Sequence, residues 1–105
     1  MIEIRFNPEK LELKISGHAG QAEKGQDIVC SAVSILFYTL AQAVADSEDM
    51  LTEAPVTNME DGNGYVSCKP KEEYKATMQR TYWTILTGFE LLTQAYKEYV
   101  SFAVV

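Results

Sequence analysis

The chain has 105 residues, with 15 acidic residues against 9 basic ones and a formal charge of −6. About 150 residues per domain is the usual prior, so we expect residues 1–105 to form a single domain. The shortage of Lys and Arg argues against a nucleic-acid or anionic-membrane partner, because cations are needed to neutralise phosphate groups. An acidic surface instead favours, weakly, a basic protein or peptide as partner.

The thiol and imidazole counts exclude two kinds of site. Two cysteines and one histidine are too few for a disulfide framework or a structural zinc site, so we expect no metal, no cofactor and reduced thiols. The first residues carry charges where a secretory signal has its apolar core, and no run of about 18 apolar residues occurs. These features predict a cytoplasmic protein without a membrane partner.

The first part of the chain alternates between apolar and polar residues, as expected of strands with one solvated face. The alternation covers residues 2–6 and 11–16, and residues 7–10 between them have turn composition, which predicts a hairpin. Residues 17–26 contain three glycines and no periodicity, so we expect a mobile loop there. Helical periodicity then begins at Asp27, a favoured N-cap type, and fades over residues 46–49.

The second half repeats this order. Residues 55–60 and 65–69 flank the turn-forming run 61–64, which predicts a second hairpin. Residues 71 to about 99 carry a long apolar and aromatic stripe at helical spacing, most often a core feature and in part a candidate surface for self-association. The stripe consists of Tyr74, Met78, Tyr82, Ile85, Phe89, Leu92, Tyr96 and Tyr99. Residues 100–105 are β-prone and could add an edge strand. The chain therefore predicts an α+β fold, a two-layer β-β-α-β-β-α domain with two helices packed on a largely antiparallel sheet.

The strongest candidate for chemistry is the pair His18 and Cys30. Cys30 falls at about the third position of the first predicted helix, where unsatisfied N–H groups and the helix dipole stabilise a thiolate. The same N–H groups could hold an oxyanion, and His18, at a strand end, could act as base and acid. The alternatives are a buried structural thiol at Cys30 and a structural polar group at His18.

Other residues near this pair have two readings each. Asp27 is either the helix N-cap or a carboxylate that orients His18 or contacts substrate, although its charge opposes a thiolate. Ser34 lies one turn after Cys30 and either lines a pocket or bonds back to a carbonyl. Gly20 and Gly25 have the spacing of a phosphate loop, but Gln26 and Asp27 stand where Lys and Ser or Thr are required, which excludes nucleotide binding.

The second cysteine and the acidic runs have plain interpretations. Cys68 alternates with Ser67 and Lys69 in a predicted strand, which favours a buried, inert thiol with no disulfide to Cys30. The acidic residues 48–53 and 60–61 are by default a solvated surface, with docking of a basic peptide as the functional alternative.

Two motifs together resemble a known signature. Gly17-His18-Ala19-Gly20, followed by the run from Gly25 to Ser34 that contains Asp27 and Cys30, is similar to the signature of the bacterial ribosomal-processing cysteine proteases. The resemblance covers essentially the whole chain and implies a single cysteine-protease domain. It implies an enzyme that removes the N-terminal extension of the bacterial large-subunit ribosomal protein twenty-seven and works as a homodimer.

The resemblance also assigns roles to residues. Cys30 would be the nucleophile and His18 the general base and acid. Gly17, Asp27 and Ser34 match the supporting positions of the motif, and the loop between His18 and Cys30 would move aside for the substrate.

Two rival functions remain open from the sequence alone. One is a non-catalytic dimeric module that binds a basic ribosomal segment during ribosome assembly. The other is a thiol redox sensor, for which Cys68 is the only candidate resolving cysteine.

Overall fold

The computed structural model describes residues 1–18 and 27–105 of the chain. The predicted order of elements is confirmed, with the β-prone tail forming a fifth strand. The strands and helices are β1 Ile2–Asn7, β2 Glu12–Ser16, α1 Ile28–Asp46, β3 Val56–Glu60, β4 Asn63–Ser67, α2 Lys75–Ala95 and β5 Val100–Val104. Short 3₁₀ turns, Glu48–Met50 and Glu72–Tyr74, connect α1 to β3 and lead into α2.

The five strands form one sheet in the order β3-β4-β2-β1-β5. The β1–β2, β2–β4 and β3–β4 pairs are antiparallel, whereas β5 runs parallel to β1 with Ile2 opposite Val100. The predicted edge strand is therefore present, and β3 and β5 are the two edges of the sheet.

The two helices cover one face of the sheet, as predicted. Alternate strand residues are buried on that face, because successive side chains of a strand point to opposite sides. The fully buried strand and helix residues of the core include Ile4, Phe6, Leu13, Val66, Val29, Phe37, Leu40, Val44, Met78, Tyr82, Leu86 and Phe89. The fold is a two-layer α+β domain with a largely antiparallel sheet.

Helix α2 is shorter than the predicted span of residues 71–99. It ends at Ala95, where the Tyr96 N–H donates to the Leu92 carbonyl. The Tyr99 carbonyl then accepts a hydrogen bond from the Ile2 N–H at 2.8 Å, which turns the chain into β5. Tyr96 and Tyr99 of the predicted stripe pack against the core from outside the helix, and the buried Leu86 lies outside that stripe.

Helix α1 is long and apolar enough, by length and composition alone, to cross a membrane. A helix that packs in a protein core meets the same two criteria. Here Val29, Val33, Phe37, Leu40 and Val44 are buried against the rest of the molecule. The expected absence of a membrane partner therefore stays a prediction.

The packing of α1 on α2 fixes which way α1 faces. Leu36 of α1 packs on Gly88 of α2, where a Cβ would lie 2.7 Å from the Leu36 Cδ2 atom. With 3.6 residues per turn, Leu36 borders the buried face of α1 on one side. The opposite border of that face carries Cys30, Ser34 and Tyr38. This flank of α1, away from α2, carries the candidate nucleophile.

Candidate active site

A cleft of about 290 Å³ opens between the first turns of α1, the end of β2 and the tip of the β3–β4 hairpin. Four of the five predicted site residues line it: Gly17, His18, Cys30 and Ser34. The fifth, Asp27, lies directly beneath, bonded to Cys30. The structure therefore brings together residues that are separated by a strand end, a loop and a helix start in the sequence.

Asp27 is the N-cap of α1, which confirms its structural interpretation. Its Oδ1 atom accepts a hydrogen bond from the Cys30 backbone N–H at 2.9 Å, and its carbonyl accepts from the Ser31 N–H at 3.1 Å. A side-chain acceptor at this position satisfies one of the N–H groups that every helix start leaves open. The carboxylate is largely buried, with 8% of its surface exposed.

The same carboxylate holds the Cys30 side chain. The half-buried Cys30 Sγ donates to Asp27 Oδ2 at 3.3 Å. An ionised carboxylate only accepts hydrogen bonds, so the sulfur in this arrangement carries its proton. In this hydrogen bond Cys30 is the donor and Asp27 the acceptor, so the carboxylate lies directly beside the sulfur.

His18 follows β2 and Gly17 and is held by the tip of the β3–β4 hairpin. Its Nε2 atom lies 4.0 Å from Asp61 Oδ1, and both side chains are solvent-exposed. The imidazole lies over Gly62, where a Cβ would come within 2.9 Å of Nε2. The Gly17 N–H donates to the Gly62 carbonyl at 2.9 Å, which ties the strand end to the hairpin tip.

Both glycines that support His18 have conformations that exclude other residues. Gly62 has φ +79° and Gly17 has φ +98°, in the region that residues with a Cβ rarely adopt. A Cβ at Gly17 would also clash with the Met1 carbonyl oxygen. Gly17 therefore supports the site through its backbone.

Sequence reasoning missed Asp61 and Gly62 as parts of the site. They were predicted only as a turn and as part of an acidic surface. The one available signal was the Asp-Gly pair itself, which marks a tight hairpin but does not say which residue the hairpin approaches.

The hydroxyl groups of Ser31 and Ser34 are used differently. The Ser31 hydroxyl donates back to the Asp27 carbonyl at 3.1 Å, the structural use of such a side chain. Ser34 lines the cleft instead, and within residues 1–18 and 27–105 its hydroxyl makes no hydrogen bond to protein. Its hydroxyl is therefore the one available to a ligand in the cleft.

The N–H groups expected to hold an oxyanion are only partly available. The Asp27 side chain occupies the Cys30 N–H, and its carbonyl occupies the Ser31 N–H. Among hydrogen bonds between described residues, the Ile28 and Val29 N–H groups at the start of α1 have no acceptor. An oxyanion bound by the Cys30 N–H would have to displace the Asp27 cap.

The second thiol has a different environment. Cys68 is 4% exposed, and the Tyr82 hydroxyl donates to its sulfur at 3.7 Å. Burial raises the pKa of Cys68, so its thiol keeps its proton, as predicted for an inert side chain. Both cysteines are free thiols, and the described residues contain no group of three or more His, Cys, Asp or Glu side chains placed to hold a metal.

Part of the predicted site lies outside the described residues. The predicted loop from Ala19 to Gln26, with the glycines of the excluded phosphate-loop spacing, belongs to this segment.

The sequence model of the family described as Cysteine protease Prp matches residues 1–101. The chain belongs to this family. Membership makes it a cysteine protease, a hydrolase of peptide bonds, and it confirms the resemblance seen in the Gly-His-Ala-Gly and Asp-Ile-Val-Cys motifs. The predicted identities of the catalytic and supporting residues are not tested by this match and stay predictions.

Individual relatives and solved structures are similar over nearly the whole chain. The ribosomal processing cysteine protease Prp of Staphylococcus aureus is 24% identical over 99 residues, which covers 92% of this chain and 91% of that protein. A crystal structure of the S. aureus protease with a covalently linked product peptide has a TM-score of 0.76 at 20% identity, covering 100% of both chains. A Streptococcus mutans protein has a TM-score of 0.69 at 26% identity, covering 99% of this chain and 91% of its own. The shared fold confirms the predicted α+β class.

Proposed function

We propose that this Prp-family protease removes the N-terminal extension of the bacterial large-subunit ribosomal protein twenty-seven, with Cys30 as nucleophile and His18 as general base and acid. The observation that carries the proposal is that the only histidine of the chain and a thiol at a helix start line one cleft. The name of the S. aureus relative, a ribosomal processing protease, supports the substrate class. A structure of that relative with a substrate peptide supports a peptide as ligand.

The cleft has the charge expected for a basic ribosomal segment. Glu60 and Asp61 lie in its wall, and the whole chain has a formal charge of −6. Opposite charge raises the rate of encounter between partners and is screened by salt. We propose that the acidic cleft takes a basic protein, not nucleic acid or membrane, as its partner. We also propose that the protein is cytoplasmic and, as the family resemblance implies, a homodimer.

The reaction follows from the two side chains. The Cys30 Sγ passes its proton to His18 and attacks the scissile carbonyl carbon, forming a tetrahedral oxyanion. The oxyanion collapses as His18 returns the proton to the departing amine, which leaves a thioester on Cys30. Water, deprotonated by His18, then hydrolyses the thioester and restores the thiol.

Asp27 sets the starting point of this reaction. Because the thiol hydrogen is donated to Asp27 at rest, the hydrogen must turn from the carboxylate towards His18 before attack. A thiol held in this way resists oxidation and alkylation until the reaction begins, since the thiolate is the reactive form. Asp27 thus has a role beyond the helix cap, as the resting partner of the nucleophile.

Asp61 and Gly62 set the position of His18. The Asp61 carboxylate lies on the Nε2 side of the ring, which leaves Nδ1 for the thiol. Gly62 provides the flat surface on which the ring lies. These contacts support a dyad assisted by the hairpin tip.

The test is cleavage of a junction peptide, a synthetic peptide that spans the boundary between the extension and the mature sequence of ribosomal protein twenty-seven from the same genome. The wild-type protein is expected to cleave it once, and Cys30→Ala and His18→Ala are expected to leave it intact. Complete cleavage by Cys30→Ala would contradict the nucleophile, and complete cleavage by His18→Ala would contradict the base.

The same experiment separates the rival functions. A non-catalytic assembly module would bind the junction peptide equally with and without Cys30 and would never cleave it. A redox sensor would need Cys68 as partner of Cys30, but Cys68 is buried in the core beside Tyr82.

A further inference from the structure

The outer edge of β3 presents unpaired backbone groups beside the cleft. β3 is an edge strand of the sheet, and β4 is its only partner among the described strands. Glu60 lies opposite Asn63 across a two-residue turn, so this pair is hydrogen-bonded, and the pairs alternate along the ladder. Residues Met59 and Thr57 therefore direct their N–H and C=O groups away from β4, to the free edge.

A flank of α1 runs beside this edge. Cys30, Ser34 and Tyr38 follow one another at every fourth residue on the side of α1 away from α2. All three line the same cleft as Met59 and Glu60 of β3. The Tyr38 side chain is 53% exposed, a large apolar surface next to unpaired backbone groups.

The dimensions of the edge and the flank agree. Cys30 and Tyr38 are eight residues apart on a helix, about 12 Å at 1.5 Å per residue. An extended peptide covers the same length in about four residues at roughly 3.3 Å each. A peptide with its scissile carbonyl at Cys30 would thus reach Tyr38 while lying along β3.

We infer that the substrate residues on the N-terminal side of the scissile bond bind as a sixth strand on the outer edge of β3, between that edge and the Cys30–Ser34–Tyr38 flank of α1. The inference rests on the proposed function and specifies how its substrate is held. These residues form the acyl part of the thioester, which must stay bound until water attacks. Backbone hydrogen bonds to Met59 and Thr57 hold them in the extended form.

Strand addition also predicts side-chain preferences. Alternate substrate side chains point to the two faces of the extended sheet. One set contacts Tyr38 and Met59 on the helix side and is expected to be apolar. The other set lies beside Asn58 and Glu60 on the open face and is expected to be polar or basic.

A second copy of the chain is the other possible occupant of this edge. Two β3 strands paired edge to edge at their Glu60–Asp61 ends, beside the clefts, would bring the acidic residues of both copies together and would close both clefts. Like charges directly opposite each other destabilise a strand pair. The acidic edge therefore fits a basic peptide better than its own copy.

The experiment is an N-methyl scan of the junction peptide. Each backbone amide N-terminal to the scissile bond is methylated in turn, and the Kd for the Cys30→Ala variant is measured beside kcat/KM for the wild-type protein. Methylation at every second amide is expected to raise Kd by about tenfold or more, because it removes a hydrogen bond and blocks the edge. The amides in between are expected to change Kd less than about twofold.

Two pairs of variants test the protein side. Thr57→Pro removes an outward N–H and is expected to raise KM at least fivefold. Val104→Pro is its control on the opposite edge: the Val105 N–H donates to Phe6 at 2.9 Å, so the Val104 N–H points outward too. Tyr38→Ala is expected to raise KM, whereas Ile35→Ala, on the outer face of α1, is expected to leave it unchanged.

The outcomes distinguish the inference from the function on which it rests. An unmodified junction peptide that is neither bound nor cleaved overturns both. If the peptide is cleaved but methylation has the same effect at every amide, or no effect at any, only the strand addition is overturned. Loss of a dimer in Thr57→Pro with no alternation in the scan would assign the edge to a second copy and would also overturn it.

Discussion

The two cysteines of this chain are chemically identical, yet their surroundings differ in every property that controls a thiol. Cys30 is half-buried at the start of α1, lines a cleft and donates to a carboxylate. Cys68 is 4% exposed and lies one residue beyond β4, whose opposite end, Asn63, lines the cleft. Cys68 follows Asn63 by five positions of extended chain, a distance of about 17 Å. Position in the fold, not residue type, decides which thiol can react.

The largest expected effect separates the two thiols by activity. Cys30→Ala should lower kcat/KM for the junction peptide by about ten thousandfold or more, as loss of a nucleophile does in other proteases. Cys68→Ala should stay within about twofold of the wild-type protein and should lower the free energy of unfolding by about 1 kcal/mol, the cost of a small cavity. Cleavage assays and urea unfolding measure the two effects, and a large loss of activity in Cys68→Ala with normal stability would break the contrast.

A second prediction compares the accessibility of the two thiols. Iodoacetamide should modify Cys30 in the folded protein, while Cys68 should react only through opening of the core. With a typical stability of at least about 5 kcal/mol, Cys68 should react at least about a thousandfold more slowly in the folded protein than in the unfolded chain. Mass spectrometry of digested samples gives both rates, and full alkylation in 6 M urea, expected to unfold the chain, is the control for intrinsic reactivity. Equal rates at the two cysteines in the folded protein would contradict the assigned burial.

A third prediction concerns the carboxylate beside Cys30. Asp27→Asn keeps the helix cap but removes the negative charge that opposes the thiolate, so Cys30 should be alkylated several times faster at pH 7. The stability should change by less than about 1 kcal/mol, since Asn and Asp are similar as N-caps. Asp49→Asn, an exposed acidic residue remote from the cleft, is the matched control. An unchanged or slower alkylation rate in Asp27→Asn would show that the charge does not restrain the thiol.

The smallest expected effect is the pH dependence that Cys68 and its neighbour Tyr82 give to the free energy of unfolding. Burial raises the pKa of the Cys68 thiol above its ordinary value of 9.0, and burial raises the pKa of Tyr82 as well. The unfolded chain releases these protons first, so stability is complete below about pH 9 and falls as the pH rises further. Urea unfolding between pH 8 and pH 10.5 should show a flatter decline in Cys68→Ala and in Tyr82→Phe. A decline parallel to that of the wild-type protein in both variants would contradict the effect of burial.

Much of the fold could be predicted because its signals are local. The alternation at Ile2, Ile4 and Phe6 and the helical spacing from Asp27 each depend only on which residues face the core. The N-cap was visible as an Asp at the start of the period, and Cys30 at the first turn followed from it. The edge strand at residues 100–105 was visible as β-prone composition, although its pairing with β1 was not.

The parts of the site that sequence could not give depend on contacts between distant segments. Asp61 and Gly62 reach His18 only because β4 pairs with β2, which places the β3–β4 hairpin tip beside the end of β2. The Cys30 N–H is occupied because Asp27 Oδ1 accepts its hydrogen bond while Asp27 Oδ2 accepts the one from Cys30 Sγ. The end of α2 at Ala95 depends on the backbone pairing of Tyr99 with Ile2, not on the local helix preference.

The parallel pairing of β1 with β5 has a consequence for the synthesis of the protein. β1 leaves the ribosome before the other strands, and its partner β5 is the last of the five strands to follow. Until β5 has emerged, Ile2, Ile4 and Phe6 lack one neighbour, and β1 is an open edge of an unfinished sheet. Contacts of such long sequence separation form late and slowly. The five-stranded sheet is therefore complete only after β5 has emerged and paired with β1.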